Sequence, residues 1–190
     1  HSSAASDVYK RQIYAGMQSN GLRISSAVLK TLRTHRVELG LSLDGPAAWN
    51  DRRRITRSGQ GSHERVMQTA RRILDAGYDD VFKGFLSVAD PDIPPERFLA
   101  WADTLPLRRL DVLWPIGYHH GNPPWAGGSL EQYRQQPRYG DWFARLFALW
   151  WERDDPTLSI RLFNQILAHR LGSRHHTDAI VNDCLLYTSD

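Results

Sequence analysis

Apolar residues along the chain form two alternating patterns: compact runs typical of buried strands, and longer stretches with one apolar face typical of helices. The strand-like runs lie at 13–19, 37–44, 81–88 and 110–116. Strands that alternate with helices indicate right-handed crossovers and a parallel sheet. The sequence therefore predicts an α/β fold of about four parallel strands in chain order, with helices covering the outer face.

Residues that favour helix ends mark the boundaries between these elements. The predicted helix starts are Ser25 or Ser26, Ser62, and Pro94-Pro95. The arginine-rich stretch 46–61 follows a strand and is predicted to be a loop, whereas 141–151 and 159–171 are predicted to be helices. The tryptophans expected to pack into the core through the first of these two helices are Trp142, Trp150 and Trp151.

The strand at 37–44 has two chemically different faces. Because side chains alternate across a strand, Leu39, Leu41 and Leu43 share one face, which suits packing under helices, and Ser42 and Asp44 share the other. A hydroxyl and a carboxylate at this spacing can bind adjacent hydroxyls of a ribose, much as an acidic residue does in dinucleotide-binding folds. The alternative is a structural role, in which Asp44 starts an Asp-Gly-Pro turn and Ser42 is a small residue that fills space in the core.

The carboxyl ends of the strands are the expected place for a ligand, because ligands of parallel α/β sheets gather there. In this chain those positions are Asn20-Gly21, Ser42 to Asp44, Asp90 and 116–120. The first strand has no predicted partner on the edge away from the second strand. Such an unpaired edge exposes backbone N–H and C=O groups with which another strand can pair. We therefore expect further strands before Ile13.

Composition limits the classes of function. The chain has 190 residues, of which 41% are hydrophobic, enough for one domain with a sizeable core. Its formal net charge of +3 comes from scattered basic residues, without the concentrated patch typical of nucleic-acid binding. No apolar run approaches the ~20 residues that cross a membrane. A single cysteine, Cys184, permits no internal disulfide, which favours a reducing, cytoplasmic location.

Both ends of the chain differ in character from the rest. Residues 1–12 and 184–190 resemble translated sequencing-adaptor sequence, and the chain begins with His1 rather than methionine. We therefore expect a non-native leader at 1–12, a natural part at 13–183, and a non-native tail at 184–190. On this interpretation Cys184 has no biological role.

Two motifs and their spacing resemble those of a known family. The run 18–21 (Gln-Ser-Asn-Gly) closes the first strand, and 40–46 (Gly-Leu-Ser-Leu-Asp-Gly-Pro) closes the second. Together they resemble the third and fourth barrel strands of radical-SAM enzymes. The stretches 54–62 and 158–163 resemble the subgroup with a C-terminal SPASM domain, which includes sulfatase-maturating enzymes and maturases of ribosomally made peptides. The resemblance implies a partial (β/α) barrel whose first strands are missing.

The resemblance also implies a cofactor and roles for individual residues. Radical-SAM enzymes bind S-adenosylmethionine (AdoMet) beside a [4Fe-4S] cluster, and a 5′-deoxyadenosyl radical removes hydrogen from the substrate, here a peptide or protein. Ser42 and Asp44 would lie beside the ribose, Arg54 at the cofactor's carboxylate, and Ile116 on the adenine. From the residues alone, Arg54 is equally one more solvated arginine. The residues that would shape the floor of the cofactor pocket are Gln18, Asn20 and Gly21.

Several family elements are absent from this sequence. It contains neither the Cys-x3-Cys-x2-Cys motif that ligates the cluster, nor the Gly-Gly-Glu element, nor the SPASM cysteines. Truncation would explain these absences together. We therefore expect an internal fragment of an oxidoreductase, inactive by itself and lacking the remainder of its own chain. The alternative is a non-catalytic α/β protein that binds a peptide or nucleotide without a cluster.

Other candidate residues have weaker patterns. Tyr118 and His119 follow a predicted strand end, and Arg161 lies on the last predicted helix, so all three are candidates for substrate contact; a surface loop and a polar helix position are the alternatives. The histidine pairs at 119–120 and 175–176 suggest metal ligands. Adjacent histidines point in different directions on regular structure, however, and no third ligand is suitably spaced, so no metal site is predicted.

Overall fold

The computed structural model describes residues 15–115 and 137–172, which form a five-stranded parallel sheet with strands in chain order. The strands are β1 (Ala15–Ser19), β2 (Val37–Ser42), β3 (Phe82–Val88), β4 (Arg109–Leu113) and β5 (Ser159–Ile160). The helices are α1 (Ser26–Thr34), α2 (Ala47–Arg53), α3 (His63–Asp75), α4 (Pro95–Ala102), α5 (Arg138–Arg153) and α6 (Arg161–Arg170). The predicted parallel α/β architecture is confirmed. Within these ranges no helix is long and apolar enough to cross a membrane.

Two predicted elements are corrected by the structure. The stretch 46–61, predicted as a loop, contains α2, whose first turn forms because the Pro46 carbonyl accepts the N–H groups of Trp49 and Asn50, each at 2.9 Å. The last helix begins at Arg161 rather than at 159, because Ser159 and Ile160 pair with β4 and add a fifth strand to the sheet.

The predicted helix starts at Ser25 and Ser62 are confirmed, but only Ser25 makes a capping hydrogen bond with its side chain. The Ser25 hydroxyl accepts the N–H of Val28 at 3.3 Å, as predicted. Ser62 precedes α3 but makes no capping hydrogen bond with its side chain. Instead, Oδ1 of Asp51 accepts the N–H of His63 at 2.9 Å. A carboxylate at a helix N-terminus is favourable, so Asp51 takes the capping role and ties α2 to α3.

The outer face of the sheet carries the core. Leu39, Leu41 and Leu43 are fully buried and pack beneath the helices, as predicted. Each contributes about 2 kcal/mol relative to an exposed side chain. The alternate positions of β2, including Gly40 and Ser42, face the other side of the sheet and are only half-buried. The inner face is therefore the one available to a ligand.

The tryptophans of α5 do not all pack into the core. Trp142 is buried and donates its indole N–H to the Ile93 carbonyl at 2.6 Å, and half-buried Trp150 donates to the Leu158 carbonyl at 2.9 Å. Trp151 is 58% exposed, so its predicted place in the core is wrong. Adjacent helical residues point about 100° apart, so Trp150 and Trp151 cannot both face inward.

Candidate functional site

Asp44 follows the carboxyl end of β2 and is held by three hydrogen bonds. Arg54 donates from Nε to Oδ2 at 2.5 Å and from Nη2 to Oδ1 at 3.0 Å, the two-bond arrangement common for arginine and carboxylate. The backbone N–H of Val88 donates to Oδ1 at 2.9 Å. The carboxylate therefore links the carboxyl ends of β2 and β3 and fixes the orientation of Arg54. We call this arrangement of Asp44, Arg54 and Val88 the rim clasp.

A buried asparagine supports the rim clasp from α2. Asn50 is fully buried, and its Oδ1 accepts the backbone N–H of Asp44 at 3.0 Å. Its Nδ2 donates to Oδ1 of Asp51 at 2.8 Å and to Oγ of Ser62 at 3.3 Å. Both ends of the amide are thus satisfied, as buried polar groups require. No pattern in the sequence marks Asn50, because its importance depends on partners brought together by the fold.

A second acidic group lies at the carboxyl end of β3, where the sequence placed Asp90. Its carboxylate lies 3.2 Å from Nη2 of Arg53 and is 12% exposed. Burial raises the pKa of the Tyr139 phenol, and the negative charge of Asp90 raises it further. The Tyr139 ring packs against Trp114, with centroids 6.0 Å apart. This edge of the sheet therefore places a carboxylate near a neutral phenol and an aromatic surface.

The predicted floor residues occupy different surroundings. Gln18 pairs in register with Gly40 of β2 and is exposed. Asn20 lies in the turn after β1, where its Oδ1 accepts the N–H of Leu22 at 3.2 Å. The Gly21 carbonyl accepts the Thr69 hydroxyl at 2.8 Å, which ties this turn to α3 in the outer layer. The candidates outside the described residues are Ile116, Tyr118, His119 and the histidine pairs at 119–120 and 175–176.

A groove of about 590 Å³ runs along the inner face of the sheet. We call it the inner groove; its polar lining includes Gln18, Glu38, Lys83, Arg109, Asp111 and Arg161. Nη2 of Arg161 bonds Oδ2 of Asp111 at 2.5 Å. Ser42, Asp44 and Arg54 do not line the groove. Of the predicted site residues, Gln18 and Arg161 line the groove, whereas Asp44 and Arg54 belong to the rim clasp.

The described residues contain no cluster of three or more His, Cys, Asp or Glu side chains arranged to hold a metal ion. His63, which follows Ser62 at the start of α3, is already engaged, because its Nε2 accepts the Trp101 indole N–H at 3.1 Å. Burial lowers the pKa of His63, against the opposing charges of Asp51 and Glu64. This imidazole is therefore a structural acceptor in its neutral form.

The neutral state of His63 predicts that the fold loses stability in mild acid. The ordinary pKa is 6.5 and the folded pKa is lower, so between these values the unfolded chain binds more protons than the folded chain. The stabilisation is therefore complete above pH 6.5 and is lost as the pH falls towards the lowered pKa. Urea denaturation on both sides of this range measures the change. His63→Gln keeps an acceptor for Trp101 without titrating, and an equally steep pH dependence in this variant would contradict the assignment.

Comparisons with known proteins give one curated relative and several solved structures. No family model matches the sequence. The uncharacterized protein sll1766 of Synechocystis sp. is 45% identical over 122 residues, which are 62% of this chain and 30% of the relative. The native anaerobic sulfatase-maturating enzyme anSMEcpe, with bound AdoMet and Cp18Cys peptide, matches with a TM-score of 0.69 at 20% identity, over 92% of this chain and 48% of its own. The complex with AdoMet and Kp18Cys peptide gives 0.68 at 22% identity, over 86% and 44%.

The chain thus spans 30% of its curated relative and less than half of each of these two solved chains. The first of these structural matches covers 92% of the chain, whose described residues form the parallel sheet and its outer helices. The fold is therefore that of a partial (β/α) barrel of the radical-SAM type.

Proposed function

We propose that this chain is part of a radical-SAM enzyme of the SPASM-containing group that modifies a peptide or protein through a 5′-deoxyadenosyl radical. The observation that carries the proposal is the rim clasp, which holds a carboxylate at the carboxyl end of a parallel strand. The fold that presents it matches an enzyme solved with AdoMet and peptide. Since the chain spans 30% of sll1766, the remaining functional parts are proposed to belong to a longer protein.

The rim clasp has the donors and acceptors needed for the sugar of AdoMet. A carboxylate offers about four lone-pair positions, and three on Asp44 accept from Arg54 and Val88, which leaves one on Oδ2. Ser42 adds a half-buried hydroxyl two residues earlier on the same face. Arg54 uses Nε and Nη2 for Asp44, and its Nη1 is the nitrogen we assign to the cofactor's carboxylate. Gln18, Asn20, Gly21 and Ile116 remain proposed contacts of the same cofactor.

The [4Fe-4S] cluster does not fit the residues of this chain. Its ligands are cysteine thiolates, and the sequence contains one cysteine, Cys184. No catalytic step through the cluster is therefore derived for these residues. AdoMet would be held by the ribose and carboxylate contacts alone, without chelation of its amino group by iron, and we infer weak binding. Peptide contact through Tyr118, His119 and Arg161, and a cytoplasmic location, belong to the same proposal.

The 190-residue chain by itself is therefore expected to be inactive. After anaerobic treatment with iron and sulfide, it should develop no cluster absorbance and release no 5′-deoxyadenosine when reduced with AdoMet. A brown protein that releases 5′-deoxyadenosine would contradict this expectation. The control is the longer protein that includes this chain, which should form a cluster and cleave AdoMet under the same conditions. An intact longer protein that binds a peptide or nucleotide but never cleaves AdoMet would favour the non-catalytic alternative.

A further inference from the structure

The inner groove contains more positive than negative side chains. Nζ of Lys83 lies 3.7 Å from Oε1 of Glu38, and Arg161 bonds Asp111. Arg109 also lines the groove, and among residues 15–115 and 137–172 its guanidinium has no ion-pair partner. Three cations against two anions leave one excess positive charge. Because the other four residues neutralise each other in pairs, Arg109 sets the electrostatic preference of the groove.

Part of the groove floor beside Arg109 is glycine backbone. Phe85 pairs with Leu110 in the parallel register, so Gly84 of β3 lies beside Arg109 of β4 on the inner face. Gly84 and Gly40 both line the groove, and the side chain of Leu86 lies over Gly40, where an added Cβ would overlap Leu86 Cδ1. The volume of about 590 Å³ is within the range of ligand sites and allows an extended chain to lie on the sheet.

A buried acceptor from α6 complements this charge. Gln165 lines the groove, and its Oε1 is buried without a hydrogen-bond partner in the described part of the chain. An unsatisfied buried carbonyl is costly, so a ligand that brings an N–H donor would be favoured there. The groove thus offers a guanidinium for a carboxylate and a carbonyl for an N–H. A peptide with an acidic side chain carries both groups.

We propose that the inner groove binds an acidic peptide segment, with a Glu or Asp carboxylate on Arg109 and a backbone N–H on Oε1 of Gln165. The inference rests on the proposed function in taking a peptide as the partner, and it adds the charge that the peptide carries. Arginine binds a carboxylate through two parallel hydrogen bonds, whereas a neutral amide side chain gains no ionic attraction. The preference should therefore weaken as the salt concentration rises.

The test compares two fluorescein-labelled peptides, Gly-Ala-Glu-Ala-Gly amide and Gly-Ala-Gln-Ala-Gly amide, by fluorescence anisotropy with the 190-residue chain. The Glu peptide is expected to bind about tenfold more tightly. Arg109→Gln should abolish this preference, and Arg109→Lys should retain part of it. Arg65→Gln removes the same charge from an exposed position on α3 outside the groove, so this control should keep the full preference.

The location is checked by amide chemical shifts of the ¹⁵N-labelled chain, where Gly84, Arg109 and Gln165 should respond to the Glu peptide. Equal affinity for the two peptides, or an unchanged preference in Arg109→Gln, would overturn the proposal. If Arg109→Gln does not fold, the comparison of Arg109→Lys with the wild-type chain decides, since a full preference in the lysine variant would also contradict the two-bond contact. The peptide-binding test does not depend on AdoMet cleavage. A failure of the enzymatic proposal would appear in the cleavage assay, whereas a failure of this proposal would appear as a missing preference for the Glu peptide.

Discussion

Asp44→Ala is expected to destabilise the chain by about 3 kcal/mol, because it breaks a largely buried ion pair and leaves two of its partners unsatisfied. The side chains of Asp44 and Arg54 are 17% and 30% exposed, so water only partly replaces the lost carboxylate. The backbone N–H of Val88 also loses its acceptor. The effect should appear as a lower urea midpoint with an unchanged dependence on denaturant concentration.

The matched control is Asp80→Ala. Asp80 also accepts two hydrogen bonds from one arginine, from Nε of Arg33 at 3.0 Å and from Nη2 at 2.5 Å. Its side chain is 55% exposed, and that of Arg33 is 42% exposed. Exposed pairs contribute little, so its loss should be much smaller than that of Asp44. Comparable losses in the two variants would show that the rim clasp is no stronger than a surface pair.

The sequence predicts several residues of the candidate site but not the contacts between them. The alternation along β2 places Ser42 and Asp44 on the face opposite the leucines, which the structure confirms. The sequence marks both Asp44 and Arg54 as candidate site residues, but no pattern in it indicates that they pair with each other. The pairing depends on α2, which turns the chain between them. That helix is short, contains two arginines in its last turn, and has no apolar stripe.

The fold was predictable to the extent that its signals are local. β2 and β3 lie in compact apolar runs, and such runs indicate burial without knowledge of partners. β5 contains two residues and exists because Arg109 and Leu110 lie beside Ser159 and Ile160. Likewise, the side chain of Asp51 rather than that of Ser62 accepts the first N–H of α3, because α2 brings Asp51 there. Contacts between residues that are far apart in the chain leave no periodic pattern in the sequence.

Gly84→Ala is expected to be the most destabilising small substitution in the sheet, with a loss of about 4 kcal/mol. Gly84 has a φ of +129°, which side-chain-bearing residues rarely adopt. A Cβ at this position would overlap the carbonyl oxygen of Arg109 and come within 2.8 Å of the Arg109 Cβ. The obstacle is backbone of the neighbouring strand, which cannot rotate away as a side chain can. Relief would require β3 and β4 to separate where they pair.

Gly59→Ala separates the contact from the backbone strain. Gly59 also has a positive φ, +78°, but a Cβ there would meet nothing within 4 Å. Its substitution should therefore cost only the conformational strain, about 1 kcal/mol. The difference between the two variants, measured by denaturant unfolding, is the contribution of the close approach between β3 and β4. Similar losses would mean that β4 can shift away from position 84, and Arg109 would then not be held over the floor of the inner groove.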